Sequence, residues 1–136
     1  MKLFSVIFTI ALFVFLTYLF RYEIYPFITY IHGNVDIKDE FKSEIRPNAM
    51  LYITLHNSYG IIFAVKEVIN PVFPLEFKIT RKNILYPHIV TPRCKIKAFL
   101  TYDGDINDIK SGDIYSKPYE LYLINMSVRI KLDTKK

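Results

Sequence analysis

Oxygen-bearing side chains crowd into one stretch of the chain. "TYDGDINDIKSGDIYS", Thr101 to Ser116, carries Asp103, Asp105, Asn107, Asp108 and Asp113. Hard cations such as calcium take oxygen ligands from alternating positions of a loop. In the EF-hand loop the sixth position is a Gly for the sharp turn and the twelfth a bidentate Glu. Counted from Asp103, the sixth residue is Asp108 and the twelfth is Ile114. Half of the ligand pattern is present and half is missing. Asp, Asn and Gly also make turns by bonding their own backbone, so the expected role is a solvated connection between two strands. A small-ligand or metal site built on Asp103 to Asp113 is the alternative.

Other chemistry-bearing residues are scattered. His32, His56 and His88 fall in three different segments, none at metal-ligand spacing from another. The single Cys94 has no His close after it, as a blue copper site needs, and no partner for an intramolecular disulfide. No CxxCH, P-loop or GxSxG occurs. The reading is that the protein is not an enzyme and holds no cofactor. Net charge is +5, but Lys and Arg alternate with Asp and Glu rather than forming a basic run, so no nucleic-acid partner is expected.

The elements that position these residues begin with "LFSVIFTIALFVFLTYLF", Leu3 to Phe20, which is uncharged. At about 1.5 Å per residue it nearly matches a bilayer's hydrocarbon core. No small-x-small cleavage site follows it, so residues 1–22 are expected to be an uncleaved single-span anchor, with residues 23–29 a linker. Tyr18, Tyr22, Tyr25 and Phe27 fit an interfacial aromatic belt. Lys2 and the amino terminus oppose only Arg21, which favours a cytoplasmic N-terminus and, in a bacterium, an inner-membrane protein with a periplasmic C-terminal domain.

From residue 30 to 136 the pattern turns to period two. Ile31, Gly33, Val35 and Ile37 alternate with His32, Asn34, Asp36 and Lys38. Further strands are expected in "AMLYITLHN", "IIFAVKEVI", "VFPLEFKIT", "RCKIKAFLTY" and "YELYLINMSVRIKL". Pro74 removes a ladder donor and so predicts an edge or a bulge. The apolar run Ile61 to Val65 predicts a central strand or an extra packing surface. Six or seven short strands with almost no helix predict an all-β, antiparallel, immunoglobulin-like sandwich behind one N-terminal transmembrane helix.

Taken in order, "IHGNVDI", "RPNAMLYI", "GIIFAVK", "FPLEFKI", "KAFLTYDGD" and "SGDIYS" resemble the periplasmic β-domain of the apocytochrome c chaperone subunit of the multi-component bacterial cytochrome c maturation system. The resemblance runs from Ile31 to Ser116. It implies structural roles for Gly33, Gly60, Phe73, Pro74, Asp103, Gly104, Gly112 and Asp113. It also implies the periplasm and the pathway, with maturation components or apocytochrome c as partners. That family's helical repeat domain, to which apocytochrome binding is chiefly attributed, has no counterpart in this sequence. The expected function is therefore a membrane-anchored protein-binding or assembly factor accessory to cytochrome c maturation. Its expected docking surface is either the edge around Pro74 or the face of Ile61, Phe63 and Val65.

Overall fold

The computed structural model describes the backbone of residues 1–136 and every side chain except those of Tyr22 and Met126. Tyr22 in the expected aromatic belt and Met126 in the expected strand "YELYLINMSVRIKL" thus lie outside the described side chains.

The chain is largely β, in two sheets, with one N-terminal apolar helix. In chain order the elements are α1 (Lys2–Ile28), β1 (Tyr30–Ile37), α2 (Asp39–Lys42), β2 (Met50–His56), β3 (Ile62–Ile69), β4 (Leu75–Thr80), β5 (Arg93–Thr101), β6 (Ile114–Tyr115), β7 (Tyr119–Tyr122), β8 (Ile124–Leu132) and β9 (Thr134–Lys135). Helix α1 is long and apolar enough over Lys2–Arg21 to cross a membrane, by length and composition, and none of that window is buried against the rest of the chain. Residues 23–28, expected to be part of a linker, are helical. Pro26 is buried there and Tyr25 packs on the core, so tertiary contact holds the last turns. The helix stops where Thr29 turns extended and its hydroxyl donates to the Tyr25 carbonyl at 2.8 Å.

One sheet has the order β4-β1-β8; the other runs β3-β2-β5-β6-β9, with β7 also paired to β5. The two sheets share one core. Ile31, Val35 and Ile37 of β1, Phe77 and Ile79 of β4, and Val128, Ile130 and Leu132 of β8 pack in a single cluster with β2, β3 and β5 residues such as Leu51, Ile53, Phe63, Ile96 and Leu100. The alternation expected for β1 is observed, with Ile31, Gly33, Val35 and Ile37 inward.

Several expectations need correction. Pairing is not purely antiparallel: β1 and β8 run parallel. The first and last long strands lie side by side, and all the chain between them serves as the crossover that parallel strands require. There are nine strands rather than six or seven, two of them only two residues long. "YELYLINMSVRIKL" is two strands in different sheets. Leu121 and Leu123 are buried before the crossing and Val128, Ile130 and Leu132 after it, so the inward phase flips. The flip coincides with a register shift opposite Ile31 and Gly33. Strand β3, expected to be central or to carry an extra packing surface, is at a sheet edge; it is apolar because the 84–86 segment covers it, with Leu85 N–H donating to the Phe63 carbonyl at 2.8 Å. Pro74 precedes β4, which is an edge strand, so the edge reading of that proline holds.

Gly33 allows the parallel pairing. A Cβ built on it would meet the Val128 carbonyl oxygen at 2.1 Å, far inside any contact distance. Only a residue without a side chain lets β1 and β8 approach this closely.

Candidate functional site

The register defines two ends. β1 starts beside the end of α1, where Tyr30 pairs with Thr80 and Ile124. In the other sheet, Arg93 pairs with Tyr122, and Leu123 bridges both sheets by donating to Pro92 O and accepting from Tyr30 N–H. His56 and Ile62 close the same end. Thr101 and Met50 lie at the far end, where the acidic loop begins.

At the far end three of the loop's carboxylates, Asp103, Asp105 and Asp113, are engaged within the loop. Asp103 Oδ1 accepts from Thr101 Oγ1 at 2.9 Å and from Asp105 N–H at 3.0 Å, while Asp105 Oδ1 accepts from Asn107 N–H at 2.9 Å. Lys110 Nζ reaches Asp103 Oδ2 at 2.7 Å and Asp105 Oδ2 at 3.6 Å. Asp113 is buried, and its Oδ2 accepts from Lys110 N–H at 2.8 Å. Gly104 and Gly112 adopt φ of 75° and 95°, the left-handed region that favours glycine. The hydrogen bonds from Lys110 and Thr101 and from the Asp105 backbone hold the Asp103 carboxyl down to about 2. A cation would have to displace the Lys110 ammonium. Among the described residues, no group of three or more His, Cys, Asp and Glu is placed to hold a metal. Burial lowers the pKa of His56; its Nδ1 donates to Gly60 O at 3.3 Å and its Nε2 meets Thr54 Oγ1 at 3.0 Å.

The helix-proximal end is different. Among the described residues, the exposed large hydrophobics beyond Thr29 are Tyr30, Tyr59, Ile61, Leu85, Tyr86, Tyr122 and Ile124 at this end, and only Ile69 and Val72 at the other. Arg81, Lys82, Arg93 and Lys95 stand among them, with Glu23 and Glu120 the nearby acids; Asp39, Glu40, Glu44, Asp133 and the loop aspartates all lie at the far end. Arg93 approaches Glu120 at 3.9 Å and sits 5.8 Å from the Tyr122 ring centroid. These three residues, with Asn57, Lys95, Leu121 and Asn125, line an open groove where β7 leaves one sheet for the other. Asn57 builds its wall. The buried side chain donates to Ile89 O at 3.0 Å and accepts from the N–H groups of Tyr59 and Ile61, each at 3.0 Å.

The expected docking face divides. Ile61 is exposed and Val65 half-buried, but Phe63 is 0% exposed in the core, so Phe63 belongs to the interior and cannot dock a partner. Of the motif residues, Gly33 serves the β1–β8 approach, while Gly60, at φ 82°, makes the β2–β3 turn. Phe73 packs against the core beside Pro74, to which it is joined by a cis peptide. Reasoning from sequence missed Asn57, Leu85, Tyr86, Arg93 and Tyr122 as site residues; the run "NSYG", Asn57 to Gly60, has the composition of a turn and offers the one hint of the first.

No protein-family model matches the sequence, and no curated protein matches it significantly. A solved structure to which the chain is similar is described as an alternative pilotin from the type II secretion system of Vibrio cholerae. It is 18% identical, with 76% of this chain and 94% of that chain covered and a TM-score of 0.45. Likeness at this level transfers neither topology nor function.

Proposed function

We propose that this protein is a membrane-anchored protein-binding or assembly factor that acts by docking rather than catalysis. Helix α1 is its uncleaved anchor, with the N-terminus cytoplasmic and the β-domain in the periplasm. The observation that carries the reading is the groove of Arg93, Glu120, Tyr122 and Asn125, because Tyr and Arg dominate binding hot spots and an open, mixed polar and aromatic cleft suits a polypeptide partner. Two stacked, unclosed sheets support reading the domain as an immunoglobulin-like open sandwich, an architecture common among binding modules. The motif resemblance, Gly33 through Asp113, supports a place beside cytochrome c maturation. The acidic loop is not the working site in this reading, since Asp103, Asp105 and Asp113 are already engaged within it.

Affinity purification of the tagged full-length protein from gently solubilised membranes, followed by mass spectrometry, tests it. Recovery of haem-handling components or c-type apocytochromes, lost when Tyr122→Ala and Arg93→Ala are introduced together, is the expected result. Recovery of another complex, unaffected by those substitutions, would remove both the pathway and the groove.

A further inference from the structure

The connection Arg81–Thr91 is the segment packed on the end of α1, and docking in the groove gives it no task. Its short helical turns, Arg81–Asn83 and Pro87–Ile89, lie against α1. The Arg81 guanidinium stacks 3.8 Å from the centroid of the Phe27 ring. Leu85, Tyr86, Pro87 and His88 are exposed in an unbroken row. The segment holds Arg81, Lys82 and His88 and no acid. Glu23 of the helix is the single acid lining the cleft that the segment forms with Pro26 and Phe27. A Leu-Tyr-Pro-His row beside two cations is poorly suited to water. It has the composition of a membrane interface, where tyrosine rings sit at headgroup level and cations meet phosphate.

Helix geometry gives the depth. The 20-residue window Lys2–Arg21 spans about 30 Å, the thickness of the hydrocarbon core. Phe27 lies a further 9 Å or so along the axis, and each headgroup layer is about 5–8 Å deep. Arg81, stacked on Phe27, therefore stands at the outer edge of the headgroups, with long side chains able to reach inward. None of the window is buried in the domain, so the helix projects away from this end and leaves it facing the bilayer.

We propose that Arg81–His88 is a second membrane contact. Arg81 and Lys82 take the phosphates of anionic lipids, Leu85 and Tyr86 enter the interfacial layer, and the domain is held upright in one orientation on the membrane that α1 crosses. This rests on reading α1 as an uncleaved anchor. The occupant is the lipid surface of that same membrane, chosen for its continuity with the helix and for the charge match.

Full-length protein in lipid nanodiscs tests the contact, with a nitroxide on Leu85→Cys and, as the far-end control, on Val72→Cys. Cys94 is buried and its thiol is pushed up to about 12 by desolvation, so it stays unlabelled. In discs containing phosphatidylglycerol, the Leu85→Cys label is expected to collide several-fold less often with an aqueous nickel chelate than the Val72→Cys label, while remaining open to oxygen. Adding Lys82→Gln, or omitting the anionic lipid, weakens the docked state by about fivefold per charge lost and raises the nickel collision rate. Equal nickel accessibility at both sites in disc-bound protein overturns the proposal. So does a label shielded from both reagents in detergent as well as in discs, which would indicate a protein contact. Failure of the full chain to enter discs at all is a separate outcome, visible before any spectroscopy, and overturns the anchor reading and this contact with it.

Discussion

The two ends of the β-domain handle their polar and apolar groups in opposite ways. At the far end, Asp103, Asp105 and Asp113, which sequence alone would offer to a metal, are taken up by Lys110, by Thr101 and by backbone N–H groups within the same loop. At the helix-proximal end, tyrosines and aliphatics that would be expected inside are exposed, and cations stand among them with few acids. A dense cluster that is contiguous in sequence can satisfy itself, whereas residues delivered to one end by five different segments remain available to something else. Availability, more than chemical conspicuousness, separates a working surface from a well-made turn.

Breaking the scaffold that holds the ends apart should have the largest effect. Phe63→Asp places an unpaired carboxylate in the fully buried core, and we predict a loss above about 4 kcal/mol, enough to unfold a domain of this size. Gly33→Ala drives a methyl into the Val128 carbonyl and should cost about 3 kcal/mol, because both partners are backbone and can shift little. Urea unfolding of the full-length protein in detergent, followed by circular dichroism, checks both. Native-like stability for Gly33→Ala would show that β1 and β8 are not paired in parallel with this register.

A smaller, local effect is expected at Asn57. Removing its side chain leaves Ile89 O and the N–H groups of Tyr59 and Ile61 without their partner, at a cost of about 2 kcal/mol. The change should loosen the helix-proximal rim alone. Hydrogen exchange of Asn57→Ala should therefore speed up in residues 58–61 and 85–91 and remain unchanged in residues 103–113. Uniform acceleration at both ends would mean that they are not independent units.

This division also explains what was legible in the sequence. Period-two alternation in Ile31 to Ile37 and in Cys94, Ile96 and Ala98 showed the core faces, because a strand with one buried face must alternate. The apolar run of α1 was equally local and equally readable. The parallel β1–β8 pair was not, since its partners are separated by most of the chain and nothing near Gly33 names Val128. The phase flip after Leu123 was hidden because a strand that changes sheets looks in sequence like one long strand with a defect. Phe63 was misjudged because an apolar edge strand and an apolar central strand read alike until the covering segment, 84–86, is seen. The exposed rim was illegible for the same reason: Tyr30, Tyr59, Tyr86 and Tyr122 are each unremarkable alone.

The smallest predicted effect sharpens the contrast from the far end. Asp103 in the folded protein is held down to about 2 from its ordinary 3.8 by Lys110, the Asp105 backbone and Thr101. A carboxyl that ionises more readily when folded adds stability at pH above its unfolded value and loses that contribution as pH falls. The Asp103 contribution should be whole above about pH 4 and gone once the pH passes below about 2. The carboxylate and its ammonium partner are solvent-facing, so screening keeps the effect modest beside those of Phe63 and Gly33. Thermal unfolding of Asp103→Asn and the parent chain should converge as pH drops through this window and differ slightly above it. Adding calcium at neutral pH should move neither curve, because Lys110 already occupies the position a cation would take. A calcium-dependent rise in the parent that Asp103→Asn abolishes would mean that Lys110 yields to the metal. The two ends would then be alike in holding a partner, and the acidic loop would be a site after all.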